Sequence, residues 1–206
     1  MPRVDKMRYI LFMILLYLGL YVGIQLVVTT HKFDFLTEFD KAVPFMPQHV
    51  WIYHSILPII FATMLILVKT KKVFLTTFYA CMIATLILNT SYVLFPSFYP
   101  RPDFEVNNLS EAILYMTYKI DGSNNTFPSG HVSFAWIMFF GALSSMAAKK
   151  VNGLRSLYLL WAIGISLSTL TLKQHYIVDV LSGIALAAAS FYISKTIIDN
   201  RITAKH

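Results

Sequence analysis

Charge is scarce in this chain. Asp, Glu, Lys and Arg make up 13% of its 206 residues, well short of the share usual in a soluble domain. Cysteine occurs once, at Cys81, so no internal disulfide can form and the redox compartment is left open. There is no His-Glu-x-x-His and no cysteine pair to found a zinc site, and no carboxylate cluster for magnesium or manganese. No metal or other cofactor is therefore expected. Linkers, internal repeats and low-complexity tracts are also missing, which makes residues 1–206 one domain.

What fills the chain is apolar: 57% of residues are hydrophobic and mean hydropathy is +0.62. Six runs are long enough, or nearly so, to cross a bilayer as helices, at Met7–Val28, Val50–Val68, Val73–Phe95, His131–Ala148, Leu154–Leu172 and Tyr176–Ser194. The expectation is an all-α polytopic membrane protein with six transmembrane helices. The first run follows Arg3, Lys6 and Arg8, but its core is too long for a signal peptide and no small-x-small cleavage site follows it.

The net charge of +7 is distributed as a topology signal rather than as a nucleic-acid footprint. The N-terminus, residues 69–72, residues 149–155 and the C-terminal end hold twelve Lys and Arg. The longer alternate loops hold five, at Lys32, Lys41, Arg101, Lys119 and Lys173. By the positive-inside rule both termini are cytoplasmic, and the loops with Arg101, His131 and His175 face outward, across a plasma or inner membrane.

Two outward stretches carry chemistry. Phe127-Pro128-Ser129-Gly130-His131 opens the fourth run, where unpaired backbone N–H groups at a helix start can receive a phosphate. In Lys173-Gln174-His175-Tyr176-Ile177-Val178-Asp179, His175 and Asp179 are four residues apart. On a helix they share a face, so the carboxylate can hold one ring nitrogen and leave the other to attack. The loop from Pro96 to Gly130 is too long for a simple connector. Within it Ser110 is the expected N-cap of a short helix whose Ile113, Leu114, Thr117 and Ile120 form a stripe on the bilayer surface, and Asp121-Gly122-Ser123-Asn124-Asn125 is a turn that ends it.

These residues resemble the type 2 phosphatidic acid phosphatase (PAP2) superfamily, whose three motifs run roughly Lys-x6-Arg-Pro, Pro-Ser-Gly-His and Ser-Arg-x5-His-x3-Asp. Arg101-Pro102 matches the end of the first, Pro128 to His131 all of the second, and His175 with Asp179 the core of the third. Two cations of that pattern are absent: their places fall at Leu94 and Thr169, leaving Lys173 and Lys119 as replacements in the outward loops. The weakened pattern, with the stretch from Asp40 to Pro47, also resembles the inositol phosphorylceramide and sphingomyelin synthase branch.

The resemblance implies a six-helix core and a membrane enzyme acting on a lipid phosphate. His175 is its implied nucleophile, Asp179 the partner that stabilises the cation, and His131 the acid that protonates the departing lipid oxygen. Arg101, Lys173, Ser129 and Gly130 are the implied phosphate holders. Water as acceptor makes a phosphatase, and an alcohol makes a transferase. The runner-up class is a transporter or scaffold that keeps the fold, but mid-span charges are absent and the polar constellation sits at one face. The six apolar runs exclude a soluble haloperoxidase.

The remaining candidates have plainer readings. His31, His49, His54 and His206 are structural or solvated. Asp34, Glu38, Asp40, Asp103, Glu105 and Glu111 form a solvated outer surface. Tyr92, Phe95, Phe98, Tyr99, Trp51 and Tyr53 form first an interfacial belt and second the walls of a lipid pocket.

Overall fold

The computed structural model describes residues 1–30, 32–146 and 152–204. His31, Lys149, Lys150, Lys205, His206 and the expected end of the fourth run at Ala148 lie outside the described residues. Every regular element described is helical. In chain order these are α1 (Arg3–Val27), α2 (Glu38–Ala42), α3 (Val50–His54), α4 (Ile56–Ala62), α5 (Lys71–Leu94), α6 (Leu109–Asp121), α7 (Gly130–Ser145), α8 (Asn152–Thr171) and α9 (Ile177–Thr203).

Five helical stretches are long and apolar enough to cross a membrane: α1, Pro47–Leu67, α5, α8 and most of α9. They mark an integral membrane protein. Five such stretches are found among the described residues, against the six runs expected: α7 has 16 residues, short of the roughly 20 that a bilayer core asks of a helix, and the end of its run lies outside the described residues.

The run expected at Val50–Val68 is helical over Pro47–Leu67 but interrupted. It is a 3₁₀ turn at Pro47–His49, then α3, α4 and a π-helical turn at Thr63–Leu67. Pro58 explains the break at Ser55, since its ring crowds the carbonyl four residues back, at His54, and it has no N–H to offer that carbonyl.

The packed centre is made by α5, α7 and α9, with α8 against α7 and α1 against α5. Two glycines set how close these helices come. A Cβ on Gly141 of α7 would sit 2.6 Å from the Thr77 hydroxyl of α5. One on Gly183 of α9 would sit 2.9 Å from the Ser129 carbonyl. Without side chains at these points the start of α7 is drawn onto α9, and the hydroxyl of Ser133 reaches both the Ser129 carbonyl (2.8 Å) and the Gly183 carbonyl (3.2 Å). By contrast α1 buries 11% of its apolar window, the pattern of a helix that meets lipid on most sides.

The loops at the site end are ordered by caps. Asn108, not the expected Ser110, starts α6: its side chain accepts the Glu111 N–H at 3.1 Å. The helix ends at Gly122, whose φ of +63° suits glycine. Its expected stripe does not lie on the bilayer surface as a whole. Leu114 is fully buried against Val50, Tyr53 and Leu172, Thr117 is buried, and Ile120 is exposed.

Asp40 is likewise not solvated. Thr37 and Asp40 form a capping box at α2, while the second carboxylate oxygen of Asp40 accepts the Ile177 N–H at 2.7 Å and so caps α9. The short α2 thus fixes the helix that carries Asp179.

Candidate functional site

The two motif histidines line one cavity of about 620 Å³. Gly130 and His131 enter it from the first turn of α7, and His175 from the turn between α8 and α9. Its remaining wall is largely apolar, from Met13, Ile14 and Leu18 of α1, Ile56, Leu57 and Ile60 of α4, and Ile113, Met116 and Ile120 of α6.

His175 is held at Nδ1 by two oxygens. The Thr126 carbonyl lies at 2.8 Å and Asp179 Oδ2 at 3.4 Å, so the carbonyl is the main partner and the carboxylate the longer one. Both are acceptors, which requires the hydrogen on Nδ1 and leaves Nε2 with the lone pair. Asp179 is fully buried. Its Oδ2 also takes the Tyr176 N–H at 2.9 Å, and its Oδ1 has no hydrogen-bond partner among the described residues.

His131 is held by a longer relay. Its ring stacks on Tyr53 with centroids 4.1 Å apart and planes 25° apart. The Tyr53 hydroxyl lies 3.0 Å from Asp121 Oδ2 and 3.3 Å from His131 Nδ1. The phenol has one hydrogen, which goes to the carboxylate as the closer and more strongly accepting partner. The His131 contact is then an Nδ1–H donated to the phenol oxygen, and Nε2 is again the nitrogen left for chemistry. Tyr21 gives its hydroxyl hydrogen to the other oxygen of Asp121 at 2.7 Å.

The expected phosphate holders divide. Ser129 caps α7 and is fully buried, with its hydroxyl accepting the Val132 N–H (3.4 Å) and its own N–H committed to the Asp179 carbonyl (3.0 Å). What α7 offers a ligand is therefore the N–H of Gly130 and His131, which have no intrahelical acceptor.

Arg101 is not among the residues lining the cavity. Its guanidinium clamps the Gly122 carbonyl through Nε (3.0 Å) and Nη2 and the Lys173 carbonyl through Nη1 (2.7 Å), and it lies over the Tyr118 ring. Lys173 does not line the cavity either. Its Nζ donates to the carbonyls of Val43 (2.6 Å) and Asp40 (3.0 Å), and burial pushes its ammonium below the usual lysine range while Asp40 pulls the other way. Both cations brace the turn that carries His175. Among the described residues no Lys or Arg lines the cavity, and its one carboxylate is Asp121.

From the sequence alone Asp121 belongs to a turn and Tyr53 first to an interfacial belt, and Tyr21 carries no signal. Tyr53 and Tyr92 belong instead to the cavity wall, while Trp51 is exposed. His49 and His54 bind threonine hydroxyls, at Thr171 and Thr117, both at 2.8 Å, and His54 also lines the cavity. Among the described residues no three His, Cys, Asp or Glu side chains converge as a metal-binding group.

The fold and site define a helical integral membrane protein with two motif histidines on one largely apolar cavity. The PAP2 superfamily model matches residues 74–203, more than half of the chain, and the chain belongs to that superfamily. The superfamily generally comprises phosphatases and phosphotransferases. A comparison with curated proteins finds no match.

Proposed function

We propose that the chain hydrolyses a lipid phosphate ester through a phosphohistidine intermediate, at the extracytoplasmic face of the membrane. The observation that carries this is the pairing of His131 and His175 on one cavity, each with Nδ1 tied to oxygen and Nε2 left open. His175 Nε2 attacks phosphorus, and the positive charge that grows on the ring is offset by Asp179 and the Thr126 carbonyl. The P–O bond to the lipid breaks, and the departing oxygen takes a proton from Nε2 of His131, which enters this step as the imidazolium, with hydrogen on both ring nitrogens, and leaves it neutral with Nε2 open. Water then attacks phosphorus, the P–N bond to His175 Nε2 breaks, and a proton of the water passes to Nε2 of His131, which is again the imidazolium. The first-turn N–H groups of Gly130 and His131 stabilise the phosphoryl oxygens. Ser129, Arg101 and Lys173 support this site by holding its backbone.

A second reading has an alcohol in place of water, so that a phospho-headgroup is transferred. It is favoured by the cavity charge, since among the described residues no Lys or Arg lines it to receive a doubly charged phosphate monoester. Incubation of the purified protein with a lipid panel, with and without alcohol acceptors, separates the two by free phosphate against new phospholipid. Acid-labile label on the protein and inhibition by vanadate are expected in both, with activity retained in chelator. Activity lost in chelator and restored by added metal overturns the mechanism. For topology, an impermeant reagent should label a cysteine at Asn107 and not one at Lys71. The reverse pattern moves the site to the cytoplasmic face.

A further inference from the structure

We propose that the bundle holds a second anion site, at the end away from the histidines, where Lys72 and Lys195 receive the phosphate group of an anionic phospholipid from the adjoining leaflet. Nothing in the phosphoryl-transfer reading is needed for it. Ser144, on the wall of this site, lies about 20 Å along α7 from His131 at the usual helical rise.

The ends of the three central helices build the site. The hydroxyl of Ser194 on α9 donates to the Thr76 carbonyl of α5 at 2.8 Å, which fixes the register of the two helices and brings Lys195 level with Lys72. Gly141 lets α7 close on Thr77 of α5, and Ser144 follows one turn later. Between them lies a small cavity of about 40 Å³, lined by Lys72, Val73, Thr76, Ser144, Phe191 and Lys195. A water needs only about a third of that space, so the cavity has room for the oxygens of one phosphate group.

Two observations mark the ligand as an anion. Lys72 is held by Asp199 at 2.8 Å, while Lys195, one turn before Asp199 on α9, has no partner among the described residues. One positive charge is left over. Thr76 is only 4% exposed, and it lines the cavity with a hydroxyl that makes no hydrogen bond among the described residues. A buried donor without an acceptor thus stands beside an ammonium without a counterion. Among the described residues no carboxylate lines the cavity to oppose an anion.

The apolar part of the wall decides between a phospholipid and free phosphate. Val73 and Phe191 line it, Phe191 packs on Phe140 with centroids 5.7 Å apart, and the next residues of α9, Tyr192 and Ile193, are exposed. Free phosphate gains nothing from such a surface. A phospholipid lays its glycerol and first methylenes there while its phosphate reaches the lysines. A zwitterionic lipid brings a cation to a site that already has one in excess, so the preference is for a headgroup of net negative charge.

Native mass spectrometry of the full chain in detergent counts bound lipid during titration with phosphatidylglycerol or with phosphatidylcholine of the same acyl chains. The first phosphatidylglycerol should bind about fivefold more tightly, the share of one unbalanced lysine at a membrane surface. Lys195→Gln should erase that preference, and Lys195→Arg should keep it. Thr76→Val, a change of nearly equal shape, should weaken it independently. Arg201→Gln removes a charge of the same sign from the same end of α9 without touching the cavity wall, and should leave the preference intact. Lipid held in the catalytic cavity is common to all variants and drops out of the comparison. Millimolar inorganic phosphate should not displace the lipid. Equal binding of the two lipids, a preference unchanged in both Lys195→Gln and Thr76→Val, an equal loss in Arg201→Gln, or displacement by inorganic phosphate overturns the proposal.

Discussion

His175 and His131 are alike in chemistry and unlike in support. The imidazole of His175 has one partner in its own neighbourhood, the carboxylate four residues on, beside the closer Thr126 carbonyl from the loop that leads into α7. That of His131 depends on a phenol from α3 and a carboxylate at the end of α6, neither in its own helix. A local partner is fixed as soon as the helix forms, whereas a distant partner is fixed only when three elements dock. The first arrangement suits a group that makes and breaks a covalent bond. On the proposed mechanism the second couples proton transfer to the occupancy of the cavity, because Asp121 and Tyr53 both line it.

Substitutions test this contrast, beginning with the largest effect. His175→Ala should lower turnover on the order of 10⁴-fold or more and abolish acid-labile label, since no other nucleophile stands in its place. Labelled enzyme recovered from this variant would reassign the nucleophile.

Asp179→Asn should lower kcat by about 10³-fold with little change in KM, because it removes charge that matters when the ring becomes cationic. A loss confined to KM would make Asp179 a binding group instead.

Tyr53→Phe keeps the stacked ring and deletes the bridging oxygen, and about a tenfold loss on a lipid substrate is expected. An aryl phosphate, with its better leaving group, should lose much less. Equal losses on both substrates would show that Tyr53 only supports packing.

Arg101→Ala should act on stability first, by about 1–3 kcal/mol, because its donors hold the Gly122 and Lys173 carbonyls. Thermal unfolding in detergent reads this out. An unchanged Tm with a hundredfold fall in kcat would return Arg101 to the role of phosphate ligand.

The same contrast explains what the amino-acid pattern disclosed. His175 and Asp179 are legible because they stand four residues apart across the start of α9, and Pro128 to His131 because a serine cap and a glycine announce a helix start. The apolar runs announce the membrane, although Pro58 breaks one of them and α7 is shorter than its run. Asp121 gave no signal, since nothing in a turn-like Asp-Gly says that it meets tyrosines from α1 and α3. Tyr53 and His131 are 78 residues apart. Arg101 and Lys173 were visible as cations near the motifs, but spacing does not tell which way a long side chain points, and both point into backbone. Asp40 was hidden for the same reason: its partner is the first N–H of a helix more than a hundred residues away.

The apolar walls of the cavity come from α1, α4 and α6, and α1 is scarcely covered by protein. A lipid whose head enters there can leave its chains among those of the membrane, and so avoids the cost of about 0.8 kcal/mol for each methylene drawn into water. Its encounter with the histidines is then a lateral one. The rate should follow the mole fraction of substrate in the bilayer rather than its amount per volume, so that diluting the substrate with inert lipid slows the protein even when every total quantity in the tube is unchanged.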